Sequence, residues 1–265
     1  MDTELWTLKL RTGITVACRV QGDPGSQPVL LLHAWGESGG SFDRLMPGLS
    51  SFRAYAPDLR GQGDADKPQD GYSLAEQAED AAAILDSLGV DRAFVLGSSS
   101  GGYVAQQLAV DYPDLVAGLV LVGSPLSLRG RPPFADDVEG LTDPVREDWV
   151  RGAFSWFPLI HDVPERFVAE RVRDGTKMPS NAWKRILAGL CSAEAPTESG
   201  TIRAPALILW GAEDNALPRS DQEVLAERMQ DAQLKVYPGV GHLVLWECPE
   251  QVSEDATEFF SLLPG

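Results

Sequence analysis

The stretch from Ala93 to Tyr103 constrains the fold of this chain more than any other. Residues Ala93 to Leu96 are all apolar, as expected of a short strand that is buried on both faces. The chain continues as Gly-Ser-Ser-Ser-Gly-Gly, and from Tyr103 onward apolar residues recur at helical spacing. The pattern therefore predicts a strand that turns directly into a helix.

Of the three serines in this turn, Ser99 alone has glycine both two positions before it and two positions after it. A strand and a helix that cross so closely leave no room for side chains at those two positions. The helix N-terminus also offers N–H groups that favour a developing negative charge. Ser99 is the candidate nucleophile, although glycine- and serine-rich turns also occur without this chemistry. Its hydroxyl needs a histidine and an acid elsewhere in the chain.

The chain has three histidines. His242 follows the last predicted strand in a loop flanked by glycine, from which its side chain can reach Ser99. His33 ends an early strand, where we interpret it as structural, and His161 lies in a segment without strands. Asp214 follows the preceding predicted strand, at the carboxyl edge where α/β sheets place their sites. The sequence thus predicts Ser99, His242 and Asp214 as the catalytic residues.

Several motifs together resemble the α/β-hydrolase superfamily over essentially the whole chain. They are the His33-Ala-Trp-Gly loop, the Gly-Ser-Ser-Ser-Gly turn, the Gly-Ala-Glu-Asp214 segment, and Gly-His242 followed by Glu247 and Pro249. The chain order of serine, aspartate and histidine is that of this family. The resemblance implies an α/β-hydrolase fold, with a mostly parallel sheet flanked by helices and an inserted helical cap.

The resemblance also implies which backbone groups form the oxyanion hole, and two other positions were considered for the acid. One backbone N–H is expected from Trp35 and one from Ser100, which follows the nucleophile. Glu213 is a weaker candidate for the acid, because in an extended segment it points away from Asp214. Some relatives place the acid after the sixth strand, where this chain has Ser124.

Outside the turn, the pattern predicts a hairpin followed by strands that alternate with helices, which implies parallel strands. The hairpin comprises Leu5–Leu10 and Ile14–Val20, and later strands are predicted at 28–33, 52–57, 118–123, 205–211 and 233–237. Helices are predicted at 41–49, 73–88 and 249–263, the second beginning with a capping box. The Asp58-x-Arg-Gly-x-Gly segment resembles a part of the family that is mainly scaffold.

Residues 126–203 hold no run typical of a strand, and we expect them to form a helical cap inserted into a core of residues 1–125 and 204–265. Helical pieces are predicted around 143–154, 164–174 and 181–190. Six aromatic side chains of the cap are candidates for lining a pocket or for packing between its helices: Trp149, Phe154, Trp156, Phe157, Phe167 and Trp183. We expect Trp183 to bind substrate, with plain packing as its alternative role.

A formal charge of −17 in 265 residues argues against nucleic acid and anionic membranes as partners. The three cysteines form no C-x-x-C pattern, so we expect neither a disulfide framework nor a zinc site. We expect no metal ion and no cofactor in the reaction. The N-terminus has no basic region followed by an apolar stretch, and no apolar run is long enough to span a membrane. We expect a cytoplasmic protein, and the sequence leaves a homo-oligomer open.

The predicted function is hydrolysis of a carboxylic ester or lactone of a moderately large, largely apolar small molecule through an acyl-enzyme. A serine at the turn separates this chain from dehalogenases and epoxide hydrolases of the same fold, which use aspartate. Two alternatives remain open: a ligand-binding receptor with little turnover, and a cofactor-free perhydrolase. The resemblance to microbial lactonases is one of fold and turn, and names no substrate.

Overall fold

An eight-stranded sheet forms the centre of the computed structural model, which describes residues 3–264. The strands are β1 (Glu4–Lys9), β2 (Thr15–Gln21), β3 (Gln27–Leu32), β4 (Phe52–Pro57), β5 (Ala93–Ser98), β6 (Val116–Val122), β7 (Ala206–Gly211) and β8 (Ala232–Tyr237). Three residues lie outside the described part of the chain: Met1, Asp2 and Gly265. The ends of the predicted core ranges, and the first residues of the segment considered for a signal peptide, fall on them.

The spatial order of the strands is β1-β2-β4-β3-β5-β6-β7-β8. The pairs β1–β2 and β2–β4 are antiparallel, and the remaining pairs are parallel. Both the opening hairpin and the parallel sheet are confirmed. The carboxyl ends of the parallel strands consequently meet at one edge, which brings distant parts of the sequence together.

Ten α-helices accompany the sheet in the described residues. They are α1 (Leu74–Ser87), α2 (Ser100–Asp111), α3 (Ala135–Glu139), α4 (Glu147–Phe154), α5 (Glu165–Thr176), α6 (Ser180–Ser192), α7 (Pro196–Ser199), α8 (Arg219–Arg228), α9 (Val244–Glu247) and α10 (Pro249–Ser261). The predicted capping box is present, since the Ser73 hydroxyl accepts from the Glu76 amide and the Glu76 carboxylate accepts from the Ser73 amide. The capping box fixes the start of α1.

Successive side chains of the inner strands enter two separate cores. On β3, Leu30 and Leu32 belong to the core formed with α1 and α2, whereas Val29 and Leu31 belong to the core formed with α10. This alternation is the two-residue period of a strand covered on both faces. The apolar runs of the sequence are therefore explained by burial on both sides.

The predicted helix at 41–49 is wrong: the chain forms two short 3₁₀ helices there, Gly39–Phe42 and Met46–Leu49. Pro47 has no N–H and its ring clashes with a helical carbonyl four residues earlier, so one continuous α-helix is excluded. Gly48 also packs against Ser253, and a Cβ there would lie 2.1 Å from the Ser253 hydroxyl oxygen. The segment 39–49 therefore packs closely against α10 as two short 3₁₀ helices and does not form one α-helix.

Between β6 and β7 the chain forms α3 to α7 and no strand among these residues, all of which the structure describes. Helices α4, α5 and α6 correspond to the three predicted helical pieces, while the short α3 and α7 were not predicted. The division into core and cap at residues 125/126 and 203/204 stays a prediction.

Candidate active site

Ser99 lies at the sharp turn between β5 and α2 with φ 49° and ψ −123°. Among residues 3–264 it is the one residue other than glycine with a positive φ. A Cβ on Gly97 would lie 2.5 Å from the Gly102 Cα, and one on Gly101 would lie 2.2 Å from the Leu32 carbonyl oxygen. Both flanking glycines are thus required by close backbone contacts, and the turn holds the Ser99 hydroxyl above the sheet edge.

A continuous chain of hydrogen bonds leads from Ser99 through His242 to Asp214. The Ser99 Oγ lies 3.0 Å from His242 Nε2, and His242 Nδ1 lies 2.8 Å from Asp214 Oδ2. Because Nδ1–H donates a hydrogen bond to the carboxylate, Nε2 carries no proton and is free to accept the proton of the serine hydroxyl. This geometry suits proton removal from the hydroxyl.

Asp214 is held in place by the backbone of its own loop. Its Oδ1 accepts from the amides of Ala216 at 2.8 Å and Leu217 at 3.0 Å, which leaves Oδ2 to His242. The neighbouring Glu213 is exposed. Ser124, at the alternative position for the acid, is buried, and its hydroxyl accepts from the Gln106 side chain at 2.9 Å. Of these three residues, only Asp214 forms a hydrogen bond with the histidine ring.

The two other histidines lie away from this chain of hydrogen bonds. His33 is fully buried; its Nε2 accepts from the Leu59 amide at 2.9 Å, and its Nδ1 donates to the Ala34 carbonyl at 2.8 Å. Burial lowers the pKa of His33 and favours this neutral form. His161 is exposed in the cap. The structure therefore supports the structural interpretation of His33.

The two predicted oxyanion donors lie next to each other beside Ser99. The Trp35 amide donates to the Ser100 hydroxyl oxygen at 2.7 Å, so this N–H already has a partner. Ser100 is the first residue of α2, where a backbone N–H has no acceptor within the helix. The Trp35 loop is held by Gly36, whose amide donates to the Gln62 side chain at 2.8 Å, with φ 86°.

The Asp58-x-Arg-Gly-x-Gly segment, which was predicted to be scaffold, hydrogen-bonds to the end of the same loop. The Asp58 carboxylate accepts from the amides of Gly39 at 2.8 Å and Asp64 at 2.7 Å. In the same segment, the Arg60 guanidinium pairs with buried Asp80. The bond from Gly39 ties the end of the loop after β3 to Asp58, and none of these residues lines the cavity beside Ser99.

A cavity of about 670 Å³ opens at Ser99 and His242, and we call it the outer cavity. Its walls are mainly proline, aromatic and aliphatic side chains from the cap and from the loop after Asp214: Pro125, Leu128, Pro132, Pro133, Phe134, Trp156, Phe157, Pro158, Ile160, Ala216 and Leu217. The volume and the apolar walls are typical of a site for a small organic molecule.

A smaller space of about 90 Å³, the inner cavity, adjoins the outer one. Both cavities are bordered by Ser99 and His242, and by Phe134 and Phe157. The Phe157 ring also lies 4.7 Å from the His242 ring, centroid to centroid. Two compartments of unequal size therefore meet at the serine hydroxyl.

Three of the six candidate aromatics line these cavities: Phe154, Trp156 and Phe157. Trp183 borders neither cavity. Its side chain is 1% exposed, its Nε1 donates to the Gly175 carbonyl at 3.2 Å, and its ring packs edge-on against Trp35 and Trp149. On the same helix, Leu187 and Leu190 face the inner cavity instead. The substrate-binding role of Trp183 stays a prediction, and its surroundings favour packing.

Phe134, Trp246 and Glu37 are among the lining residues that were not singled out from the sequence. Phe134 stacks on Trp156, with ring centroids 4.4 Å apart and planes 5° apart. It lies just before a helix of five residues, which has too little periodicity to be detected. Glu37 directly follows the His33-Ala-Trp-Gly motif, but the sequence does not indicate that its carboxyl group is buried.

Within residues 3–264, no group of three or more histidine, cysteine or acidic side chains is arranged to hold a metal ion. Cys18, Cys191 and Cys248 are free thiols. No helix in the described part of the chain combines the length and apolar character needed to cross a membrane.

Comparison with known proteins supports a hydrolase. The chain is 29% identical over 259 residues to the bifunctional esterase/perhydrolase DCH of Acinetobacter calcoaceticus, covering 89% of this chain and 92% of the relative. It is 28% identical over 254 residues to the putative carbamate hydrolase RutD of Caulobacter sp. strain K31, covering 91% and 94%.

The crystal structure of the enol-lactonase from Burkholderia xenovorans LB400 superposes with a TM-score of 0.84 at 19% identity, covering 97% of this chain and 100% of that one. At this identity the likeness establishes the fold. The family model described as the alpha/beta hydrolase family matches residues 29–255. The chain therefore belongs to the alpha/beta hydrolase family and is a hydrolase.

Proposed function

We propose that the protein is a serine hydrolase that cleaves a carboxylic ester or lactone through an acyl-enzyme. The observation that carries this proposal is the hydrogen-bonded series from Ser99 through His242 to Asp214 at the mouth of the outer cavity. A strained turn, a neutral imidazole acceptor and a fixed carboxylate are the elements that activate a serine hydroxyl.

The reaction proceeds in two halves. Ser99 Oγ attacks the carbonyl carbon while its proton passes to His242 Nε2, and Asp214 stabilises the imidazolium that forms. The tetrahedral intermediate collapses with cleavage of the bond to the leaving oxygen, which takes the proton from His242. A water molecule then attacks the acyl-enzyme, with His242 again as base, and releases the acid and the free serine.

The oxyanion is held by the amides of Ser100 and Trp35 in this proposal. Because the Trp35 amide donates to the Ser100 hydroxyl, that hydroxyl must rotate away, or be displaced, when a carbonyl oxygen enters. A side-chain rotation about one bond is enough, and the backbone of the loop need not move.

The larger part of the substrate occupies the outer cavity. Its volume of about 670 Å³ and its aromatic and proline walls suit a moderately large, largely apolar group. Two similar proteins support this substrate class: the A. calcoaceticus relative is named an esterase, and the B. xenovorans protein of the same fold is named an enol-lactonase.

The test is turnover of a p-nitrophenyl ester by the wild-type protein and by Ser99→Ala. We expect the variant to lose at least about 10³-fold in kcat, because no nucleophile remains, with an unchanged melting temperature. Intact mass spectrometry of the wild type during turnover should show the added mass of the acyl group, which should be absent from Ser99→Ala. Near-normal turnover by the variant contradicts the proposal, and an acyl adduct that persists for hours favours a receptor with little turnover.

A second candidate, perhydrolysis, is favoured by the relative that is named both esterase and perhydrolase. Hydrogen peroxide replaces water as the nucleophile that attacks the same acyl-enzyme, and a peracid leaves. Incubation with acetate and peroxide, followed by detection of peracetic acid, tests it. The Ser99→Ala variant is the control, since any peracid that it forms does not come from an acyl-enzyme on this residue.

A further inference from the structure

The inner cavity has one carboxyl group in its wall, that of Glu37. Around this group the lining is aromatic and aliphatic, apart from the serines of the turn and His242. Glu37 comes from the loop after β3, two residues beyond Trp35. It therefore lies in the compartment that adjoins the serine hydroxyl.

Glu37 is 3% exposed, and its Oε2 has no hydrogen-bond partner among the described residues. The side chains of Ser41 and Trp246 lie beside the carboxyl group, and hydrogen bonding from them lowers its pKa, although neither polar atom makes a well-aligned bond. Arg171, a buried cation of this region, is paired with Asp174 at 3.0 Å, while its Nη1 is buried without a hydrogen-bond partner among the described residues. Hydrogen-bonding capacity is thus left over at the end of an apolar cavity, where it is costly.

The surroundings favour the neutral form of the carboxyl. Burial raises the pKa of Glu37, and the pKa-lowering effects of Ser41, Arg171, Trp246 and His242 offset only part of this. A protonated carboxyl group can donate one hydrogen bond and still accept others. It can therefore pair with either a hydroxyl or a carbonyl oxygen.

We propose that Glu37 is a specificity residue that binds one oxygen atom, a hydroxyl or a carbonyl, on the short arm of the substrate that enters the inner cavity. The inference rests on the proposed function, because it assigns one arm of an ester to each compartment. A cavity of about 90 Å³ holds a few non-hydrogen atoms, since one water molecule takes about 30 Å³ in the liquid. The substrate class is then an ester with a large apolar arm and a small oxygenated arm.

The experiment compares esters that differ only by hydroxyl in place of methyl on the short arm. For an acyl arm, 2-naphthyl lactate is paired with 2-naphthyl isobutyrate; for an alkoxy arm, 2-hydroxyethyl 2-naphthoate is paired with propyl 2-naphthoate. Each kcat/KM is divided by the rate constant for hydroxide hydrolysis, which removes the intrinsic reactivity of the ester. We expect the wild type to prefer the hydroxylated member of at least one pair by about tenfold or more.

The informative variant is Glu37→Met, which keeps the length of the side chain and removes its hydrogen bonds. We expect it to lose the preference through a fall in kcat/KM for the hydroxylated esters, with no loss of melting temperature, because an apolar group replaces a buried carboxyl. Glu37→Gln should restore part of the preference, since an amide also donates and accepts. Glu227→Met, an exposed change on α8, is the matched control and should leave the preference unchanged.

The outcomes separate the two proposals. If the wild type cleaves none of these esters, the proposed function fails. If it cleaves them without preference in either pair, or if Glu37→Met keeps the preference, the role of Glu37 is wrong while the hydrolase assignment stands. If Glu37→Met does not fold, Glu37→Gln is compared with the wild type instead. A reduced preference for the hydroxylated ester in Glu37→Gln supports the inference, and an unchanged preference overturns it.

Discussion

The edge of the sheet and the space under the cap meet at Ser99 but are built in different ways. At the sheet edge, polar atoms are held by short-range backbone contacts: two amides fix the Asp214 carboxylate, and close contacts at Gly97 and Gly101 fix the turn. Under the cap, the walls are mostly apolar side chains that pack on each other without directional bonds. Geometry is therefore strongly determined where proton transfer is proposed, and loosely where substrate is expected to bind.

The comparison teaches where substitutions should alter chemistry and where they should alter selectivity. A group held by several backbone hydrogen bonds cannot be replaced without losing its function, because no neighbour can take its place. When one aromatic side chain of a cavity wall is truncated, the substrate loses only the contacts made by the removed atoms, because the other side chains of the wall remain. The predictions below test this division, beginning with the largest expected effect.

Replacement of the buried acid tests the sheet edge most directly. We expect Asp214→Asn to lower kcat by about 10⁴-fold on every ester alike, because an amide can donate to Nδ1 and stabilise the wrong tautomer of His242. Steady-state kinetics with esters of two sizes measure this. Glu213→Gln, its exposed neighbour, is the control and should stay within threefold of wild type; a large loss there instead would exchange the roles of the two acids.

Trp183 tests whether a buried cap residue acts through packing. We expect Trp183→Ala to lower the free energy of unfolding by about 3–5 kcal/mol, because its ring fills space beside Trp35, Trp149 and Gly36. Denaturant unfolding gives this value, and kinetics below the transition should show equal changes for large and small esters. A selective loss on bulky esters with unchanged stability would instead establish Trp183 as a substrate-binding residue.

Trp156 tests the wall of the outer cavity. Its ring is partly exposed and stacks on Phe134, so Trp156→Ala should cost little stability. We expect kcat/KM for a bulky aryl ester to fall about two- to tenfold, the loss expected for one aromatic contact, with p-nitrophenyl acetate unaffected. If both esters decline together, the substitution has disturbed the site at the sheet edge, and the division between chemistry and selectivity is not as sharp as proposed.

The smallest expected effect concerns the Ser100 hydroxyl. Ser100→Ala removes the acceptor that holds the Trp35 amide, so an incoming oxyanion no longer competes for that N–H. We expect kcat/KM to rise about two- to fivefold, which corresponds to roughly 0.5–1 kcal/mol for one hydrogen bond. Ser98→Ala, one residue before the nucleophile, controls for general changes at the turn. A fall of more than tenfold in Ser100→Ala would mean that the hydroxyl itself donates to the oxyanion.

Much of the fold was predictable from local patterns. The hairpin, the parallel strands, the capping box at Ser73 and the nucleophile turn each depend on residues close together in sequence, where steric limits on the backbone act directly. Ser99 could be chosen among three serines because the contacts at Gly97 and Gly101 exclude a Cβ. The wrong prediction at 41–49 has the opposite cause, since Pro47 and the packing of Gly48 against α10 exclude the continuous helix that was predicted there.

The cap and the two cavities were decided only by the tertiary structure. Helical periodicity gives the buried face of α6, but whether Trp183 or Leu187 borders the site depends on how that helix packs over the loop after β3. The surroundings of Glu37 likewise come from α5, α9 and the 3₁₀ helix at Gly39–Phe42, which are far apart in sequence. The sequence alone determined which groups are able to carry out the chemistry, because those groups require particular residue types at particular turns. The space around them depends on long-range packing, which local sequence does not encode.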